Sequence, residues 1–312
     1  LCPEIDAAKP RQTSHGVEIC HWSEAVAVDR VGEVIIEAFA CELPAAYLAA
    51  MAGMTPRPCW INLEYLTAEA WADACHGMAS PHPSLPLVKY FYFPGFSPAT
   101  GGLLREHDLL ATRDAEIAQC LRYDTLEISL FCYDSAPVGE LLELLAESPT
   151  AVRLHVAPGQ PLAAVAAHFG GNGPWQCGAL SVLPFEFLPQ EDFDRLLWCC
   201  DINFVRGEDS FVRAQWAANT FVWQAYRQAD EAQLDKVDAF LQRYIAGLSA
   251  TGANAAVDLF QAWNSGCGLR QAWESFLAAR PEITTHNHHW AERLAGNRDL
   301  TEALVKFCAG KV

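Results

Sequence analysis

The second half of the chain alternates short apolar runs with segments of helical spacing, and this alternation restricts the fold more than any other feature. The apolar runs, each expected to form a strand, cover residues 126–133, 152–156, 180–187, 202–205 and 221–223. Helices are expected between them, over residues 138–147, 162–169, 192–199 and 211–218. Strands that alternate with helices predict a parallel sheet covered on both faces.

The first half repeats this pattern less regularly, with strands expected at residues 34–39, 59–65 and 88–93, and the chain reads as helices only from about residue 231. A length of 312 residues favours two domains. We therefore predict an α/β protein with two Rossmann-like domains that face each other across a cleft. The predicted parts are an N-terminal domain (1–115), a C-terminal domain (116–285) and C-terminal helices (286–312).

Composition excludes several classes of protein. The net charge is −17 and no Lys or Arg cluster occurs, which argues against a nucleic-acid surface. Hydrophobic residues make up 51% of the chain, enough for packed cores, but the apolar runs are too short to span a bilayer. No signal peptide is visible. The twelve cysteines lack CxxC spacing, so we expect a reduced cytoplasmic chain with mostly buried thiols.

Residues 201–215 (DINFVRGEDSFVRAQ) carry the strongest local signal for a ligand site. A buried strand is expected to end at Arg206 and Gly207, and a helix to open at Glu208, Asp209 and Ser210. The first turn of a helix directs free backbone N–H groups outward, which suits a phosphate or diphosphate. An ordinary capped helix explains the same residues equally well.

Four ordered segments resemble one family. They are residues 61–69 (INLEYLTAE), 89–96 (KYFYFPGF) followed by 101–106 (GGLLRE), 187–194 (FLPQEDFD) and 201–215. Together they are similar to the bacterial protein-arginine rhamnosyltransferases that modify translation elongation factor P. The resemblance implies a GT-B fold with an acceptor-side first domain, a nucleotide-sugar-binding second domain and a last helix, near residues 290–310, that returns to the first domain. It also implies an inverting transfer of rhamnose from dTDP-β-L-rhamnose to an arginine of that elongation factor, with no metal.

The resemblance also assigns roles to individual residues. It places aromatic rings around the thymine base at Phe131, Tyr133, Phe187 and Phe193, although core packing is the common fate of such rings. Gln190 would bond the base edge, or would simply start a surface helix. Asp209 and Ser210 match positions that contact the diphosphate, and we expect Asp209 to cap the helix with its side chain. Glu208 matches a position needed for activity, where it could hold ribose or sugar hydroxyls or help to orient the acceptor. Arg206 and Arg213 could neutralise charge or pair with carboxylates at the surface, and surface pairing is the preferred reading for Arg213.

No metal site is expected. Asp192 and Asp194 form a DxD pattern, but residues two apart on a helix do not share a face. His286 and His289 have too few further ligands nearby for a metal site. Glu64 and Tyr65 are expected to line the first-domain side of the cleft, and the glycine pair at 101–102 to belong to a loop that closes over substrate.

The chain begins at Leu1, at a point that resembles the family sequence after its second strand. Family members begin earlier, with a loop whose aspartate is thought to act as the catalytic base, and we expect the first domain to be incomplete here. A second hypothesis is therefore a non-catalytic protein that binds a nucleotide-sugar or the elongation factor. A third is a GT-B enzyme that uses another nucleotide-sugar.

Overall fold

The computed structural model describes residues 5–6, 8–21, 31–118, 120, 124–227 and 232–311. Its strands are β1 (Arg11–Ser14), β2 (Val17–Cys20), β3 (Val34–Ala38), β4 (Cys59–Leu63), β5 (Ala79–Pro81), β6 (Val88–Tyr92), β7 (Thr125–Leu130), β8 (Ala151–Val156), β9 (Trp175–Cys177), β10 (Leu180–Pro184), β11 (Ile202–Arg206) and β12 (Thr220–Gln224). Its helices are α1 (Ala45–Gly53), α2 (Ala70–Cys75), α3 (Leu109–Ile117), α4 (Val138–Ala146), α5 (Gln160–Phe169), α6 (Gln190–Cys199), α7 (Asp209–Ala217), α8 (Ala232–Tyr244), α9 (Ala250–Ser265), α10 (Leu269–Ala295) and α11 (Leu300–Ala309).

The first sheet has the order β3-β4-β6-β5. Strands β3, β4 and β6 are parallel, with Val34 opposite Cys59 and Trp60 opposite Lys89, whereas β5 pairs antiparallel with β6 at the edge. Strands β1 and β2 form a separate antiparallel hairpin. The antiparallel pieces were not part of the sequence prediction, because they are short and lack an apolar run.

The second sheet has the order β12-β11-β7-β8-β10-β9, and β9 alone among its described strands runs antiparallel to its neighbour. In chain order, β8 and β10 lie on one side of β7, and β11 and β12 then lie on its other side. Strand order therefore reverses between β7 and β11. Open α/β sheets bind ligands outside the carboxyl ends of the strands at such a switch point.

The α/β class and the two mainly parallel sheets confirm the predicted GT-B type fold. One hydrophobic core fills the second sheet and its helices, and it includes Ala68, Phe96, Leu103 and Leu109 from the first half of the chain. The two halves therefore pack on each other through apolar contacts rather than meeting only at a linker.

Helix α11 packs on the first sheet, where the rings of Phe307 and Tyr92 lie 5.4 Å apart. Trp290 instead belongs to α10 and packs in the large core against Phe240. The predicted domain limits remain predictions, and the limit between residues 115 and 116 falls inside α3.

The expectation of reduced, mostly buried thiols is wrong for several cysteines. Cys120 and Cys199 form a disulfide with Cα atoms 5.7 Å apart, which joins the segment after α3 to the end of α6. Four other cysteines are exposed, namely Cys20, Cys41, Cys177 and Cys267. The spacing of 79 residues between the bonded cysteines gives no local pattern, so the pairing depends on how α3 and α6 pack. In the described part of the chain, no helix has the length and apolarity that a bilayer crossing requires.

Candidate functional site

A cavity of about 590 Å³ lies between the two sheets at the switch point of the second sheet. Phe39, Tyr65 and Leu66, which follow β3 and β4, line it from the first sheet. The second sheet contributes Tyr133, after β7, and Glu208 and Asp209, at the start of α7. The cavity lies where a cleft between two domains is predicted, and a ligand within it stays a prediction.

The turn between β11 and α7 forms one wall of this cavity. Gly207 has a φ of +67°, a left-handed conformation that glycine adopts with little steric cost. The indole Nε1 of Trp223 donates a hydrogen bond of 2.8 Å to the carbonyl oxygen of Gly207. The tight strand-to-helix turn predicted from the sequence is therefore present, and it is held from a neighbouring strand.

Ser210 stabilises the same turn from within. Its buried hydroxyl donates to the carbonyl oxygen of Arg206 and accepts a hydrogen bond of 3.3 Å from the backbone N–H of Arg206. Asp209 is exposed, and α7 has no side-chain hydrogen bond at its N-terminus, so the prediction that Asp209 caps the helix is wrong. Glu208 occupies the cap position with helical backbone angles, and its side chain points elsewhere.

Glu208 connects the two halves of the chain. Its Oε2 accepts a hydrogen bond of 3.1 Å from the backbone N–H of Leu66, a residue 142 positions earlier in the chain. Burial raises the pKa of Glu208 above its ordinary value of 4.5, and the nearby charge of Asp209 raises it further. The hydrogen bond from Leu66 and the positive charge of Lys236 act in the opposite direction. A half-buried carboxylate with these partners can accept a proton or hold a cationic group inside the cavity.

Four of the predicted donor-binding residues form one cluster beside the turn. The guanidinium carbon of Arg206 lies 4.4 Å from the ring centre of Phe131 and 4.5 Å from that of Tyr133. Phe193 meets Phe131 edge-on, with ring centres 6.1 Å apart. The Nε of Arg206 is buried and has no hydrogen-bond partner within the described chain. These contacts leave a positive group with an unused donor next to the cavity.

Phe187 and Gln190 are the predicted donor-binding residues on the segment that leads from β10 into α6. Phe187 is 81% exposed on the loop between β10 and α6. Gln190 starts α6, and its Nε2 donates a hydrogen bond of 3.2 Å to Asp194. Like Phe131, Phe193 and Arg206, neither residue belongs to the described lining of the cavity, and contact of all five with a donor remains a prediction.

The carboxylates of the DxD pattern make ion pairs within the protein. Asp192 pairs with Arg195 at 2.7 Å, and Asp194 pairs with Arg213 at 3.2 Å. Arg213 also pairs with Glu106, so it binds carboxylates as predicted, although it is buried rather than at the surface. Burial raises the pKa of Asp194 to about 6, while the hydrogen bond from Arg213 lowers that of Glu106.

The histidine pattern also has a structural explanation. His286 is buried, and its Nε2 hydrogen-bonds the carbonyl oxygen of Tyr244 at 2.6 Å. Burial lowers the pKa of His286, which favours the neutral ring. Within the described ranges, no group of three His, Cys, Asp or Glu side chains is placed to hold a metal ion.

The glycine pair at 101–102 does not lie over the cavity, contrary to the predicted closing loop. A Cβ at Gly102 would approach the carbonyl oxygen of Arg298 to 2.2 Å, and Gly102 has a φ of +79°. The next residue, Leu103, accepts a hydrogen bond of 2.9 Å from the N–H of Leu300. The glycines therefore allow the chain before α11 to approach the first domain closely.

Sequence reasoning missed several cavity residues. Phe39 stacks on Tyr65 at 4.2 Å, Tyr226 meets Tyr133 edge-on at 5.5 Å, and Lys236 lies on α8 near Glu208. Phe39 was counted as the last residue of a strand, and Lys236 lay in the part of the chain, from about residue 231, for which only helices were predicted. A weak signal existed for Phe39, because it is an apolar residue at the carboxyl end of a predicted parallel strand.

Comparison with known proteins gives consistent matches. The family described as Elongation-Factor P (EF-P) rhamnosyltransferase EarP matches residues 1–309. A protein-arginine rhamnosyltransferase of Pseudomonas putida is 43% identical to this chain, and the match covers 98% of this chain and 86% of the relative. The corresponding protein of Pseudomonas aeruginosa is 40% identical, with 99% of this chain and 87% of the relative covered.

A solved structure supports the same relationship. It is described as the structural basis for EarP-mediated arginine glycosylation of translation elongation factor EF-P. The two chains superpose with a TM-score of 0.64 at 32% sequence identity, over 89% of this chain and 99% of the other. The fold and the sequence therefore agree on one set of relatives.

Proposed function

We propose a function for this chain, which belongs to the EarP family of elongation factor P rhamnosyltransferases and matches that family over residues 1–309. It is a protein-arginine rhamnosyltransferase, which is a glycosyltransferase. The finer proposal is that it moves rhamnose from dTDP-β-L-rhamnose to one arginine of elongation factor P, with inversion at the anomeric carbon. The non-catalytic alternative is less well supported, because the curated relatives that cover the chain are named as transferases.

The observation that carries this proposal is the position of Glu208. It starts α7 at the switch point of the second sheet and hydrogen-bonds Leu66 of the first half across the cavity. A donor bound by one domain and an acceptor bound by the other would both reach this carboxylate. A glycosyl transfer requires such a meeting of two substrates at one place.

The second sheet is chemically suited to the donor. The N-terminus of α7 presents backbone N–H groups and the positive end of the helix dipole, which would stabilise a diphosphate. Arg206 adds a positive charge and a buried Nε that lacks a partner in the described chain. The aromatic rings of Phe131, Tyr133 and Phe193 lie at the same end of the sheet and would contact the base. A diphosphate leaving group would then need no metal ion.

A guanidine nitrogen of the acceptor arginine forms a bond to the anomeric carbon, the bond from that carbon to the diphosphate oxygen breaks, and dTDP leaves with the electron pair. Because an arginine side chain is protonated in proteins, one proton must pass to a base. The family resemblance gives that task to an aspartate. Glu208 is the more buried of the two carboxylates in the described lining of the cavity, and it is placed to accept or orient that proton.

Intact-mass analysis tests the proposal. The purified chain is incubated with elongation factor P and dTDP-β-L-rhamnose, and we expect the factor to gain one deoxyhexosyl group. Elongation factor P with its target arginine replaced by lysine should gain none, and a UDP-sugar should give little product. Equal transfer from a UDP-sugar would contradict the proposed donor. Binding of dTDP without any transfer would instead favour the non-catalytic alternative.

Inversion is tested separately on the product. Nuclear magnetic resonance of the modified arginine peptide should show the α-anomer of rhamnose, because a single displacement at the β-linked donor reverses the configuration. A β-linked product would require a double displacement and would rule out the inverting mechanism.

A further inference from the structure

Two aromatic rings on the first-domain wall of the cavity have no explained role. Phe39 follows β3, Tyr65 follows β4, and their rings stack at 4.2 Å with planes 18° apart. Phe39 is 45% exposed and Tyr65 is 55% exposed, although both line the cavity. Each ring uses one face in the stack, so the pair keeps aromatic surface open to a bound molecule.

The backbone at Phe39 is held in an unusual conformation. Phe39 and Ala40 have φ angles of 58° and 54°, in the left-handed region that side chains other than glycine rarely adopt. The N–H of Phe39 donates to the carbonyl oxygen of Leu63 at 2.8 Å, and the N–H of Ala40 donates to Oδ1 of Asn62 at 2.9 Å. Such conformations persist where the surroundings fix them, and they concentrate at functional sites.

The side chain of Asn62 is itself positioned. It is fully buried, and its Nδ2 donates a hydrogen bond to Oε1 of Glu64. Glu64 therefore holds Asn62, Asn62 holds the left-handed turn, and the turn presents Phe39 against Tyr65. Glu64 acts on this wall through Asn62, since it is absent from the described lining of the cavity.

The aromatic pair lies close to carboxylate groups. Tyr65 immediately precedes Leu66, whose N–H binds the carboxylate of Glu208. The charged residues in the described lining are Glu208, Asp209 and one cation, Lys236. An exposed aromatic face attracts a cation through its negative quadrupole, and a planar guanidinium also stacks on such a face. Aromatic faces beside two carboxylates therefore suit a guanidinium better than a phosphate.

We propose that the Phe39–Tyr65 stack is the platform for the acceptor guanidinium, which lies flat on an exposed ring face while Glu208 contacts its edge. This inference rests on the proposed function, because it takes an arginine of elongation factor P as the occupant. The platform would select a planar cation over the ammonium of a lysine, and it would align one guanidine nitrogen for attack on the donor.

Steady-state kinetics with each substrate varied separately tests the platform. Phe39→Leu and Tyr65→Leu remove the aromatic face but keep an apolar side chain. We expect each to raise KM for elongation factor P by roughly 3- to 30-fold, while KM for the donor and Kd for dTDP stay within about twofold. Tyr65→Phe keeps the ring and should recover most of the loss. The matched control is Trp71→Leu, which changes a 49% exposed aromatic outside the described cavity lining and should leave both KM values unchanged.

Direct binding separates this proposal from the proposed function. By calorimetry, replacing the target arginine of elongation factor P with alanine should weaken binding to the wild-type chain but should have little further effect on Tyr65→Leu. Circular dichroism confirms that each variant is folded. Equal effects of that replacement on both chains, or a rise in donor KM instead of acceptor KM, would overturn the platform. Absence of transfer by the wild-type chain would overturn the proposed function, and the binding cycle would still decide the platform.

Discussion

Replacement of Glu208 by glutamine tests the catalytic assignment most directly. Glutamine keeps an oxygen that can accept the 3.1 Å hydrogen bond from Leu66, but it cannot carry the charge or accept the proton. A hydrogen bond to a charged group contributes about 1.5–3 kcal/mol. Since about 1.4 kcal/mol corresponds to a factor of ten, loss of a charged hydrogen bond from Glu208 to the acceptor guanidinium alone would lower kcat/KM by roughly 10- to 150-fold. Removal of a proton acceptor would increase the loss to about 10²–10⁴-fold.

Stability separates this effect from a structural one. Glu208→Gln should change the free energy of unfolding by less than about 1 kcal/mol, because the bond to Leu66 survives. Glu208→Ala leaves the N–H of Leu66 without that acceptor and should cost about 1–3 kcal/mol. Turnover is followed by intact mass, and stability by urea unfolding. Glu292→Gln, an exposed change on α10, is the matched control. Turnover of Glu208→Gln within twofold of the wild type would refute the assignment.

The pH profile gives an independent check on the same residue. Burial raises the pKa of Glu208, and the proposed role of this residue as proton acceptor needs its charged form. Turnover should therefore fall as the pH decreases through this raised pKa, at a pH above the ordinary value of 4.5. In Glu208→Gln this acid limb should disappear from the profile of kcat/KM.

Three further outcomes are expected. Gly207→Ala places a side chain at a φ of +67° and should lower the free energy of unfolding by about 1–2 kcal/mol, as measured by urea unfolding. Burial raises the pKa of Asp194 from 3.8 to about 6, so the folded state binds this proton more tightly than the unfolded state, and the free energy of unfolding should fall by up to about 3 kcal/mol as the pH rises between those two values; Asp194→Asn should flatten this slope. Reduction of the Cys120–Cys199 disulfide, which spans 79 residues, should cost about 2–4 kcal/mol in unfolding followed with and without a thiol reductant.

The second sheet could be predicted from the sequence because each of its units is local. The apolar runs at β7, β8, β10 and β11 stand between segments of helical spacing, so both faces of each strand must be covered. The turn at Gly207 could be predicted for the same reason, because the residues that form it are adjacent in the chain. Strand ends were less accurate, since β7 stops at Leu130 and β10 at Pro184 while the apolar runs continue.

The failures share a different cause, which is contact between distant parts of the chain. Asp209 is a residue type that often caps helices, but Glu208 occupies the cap position, and its side chain is directed to Leu66. Gly102 is required by the chain around Arg298, nearly two hundred residues later, rather than by a ligand. Such pairings are set by packing between the two halves, which no local pattern encodes.

The arrangement around Arg206 restricts how a base can bind. The guanidinium of Arg206 lies over the rings of Phe131 and Tyr133, 4.4 Å and 4.5 Å from their centres, so it covers one face of each ring. A pyrimidine that stacks on either ring must use the opposite face or displace the guanidinium. Displacement toward a diphosphate would give the buried Nε of Arg206 the partner that it lacks in the described structure. Base stacking and diphosphate binding would then be linked through one side chain, because movement of Arg206 would open the ring faces and would supply the charge that the proposed leaving group requires.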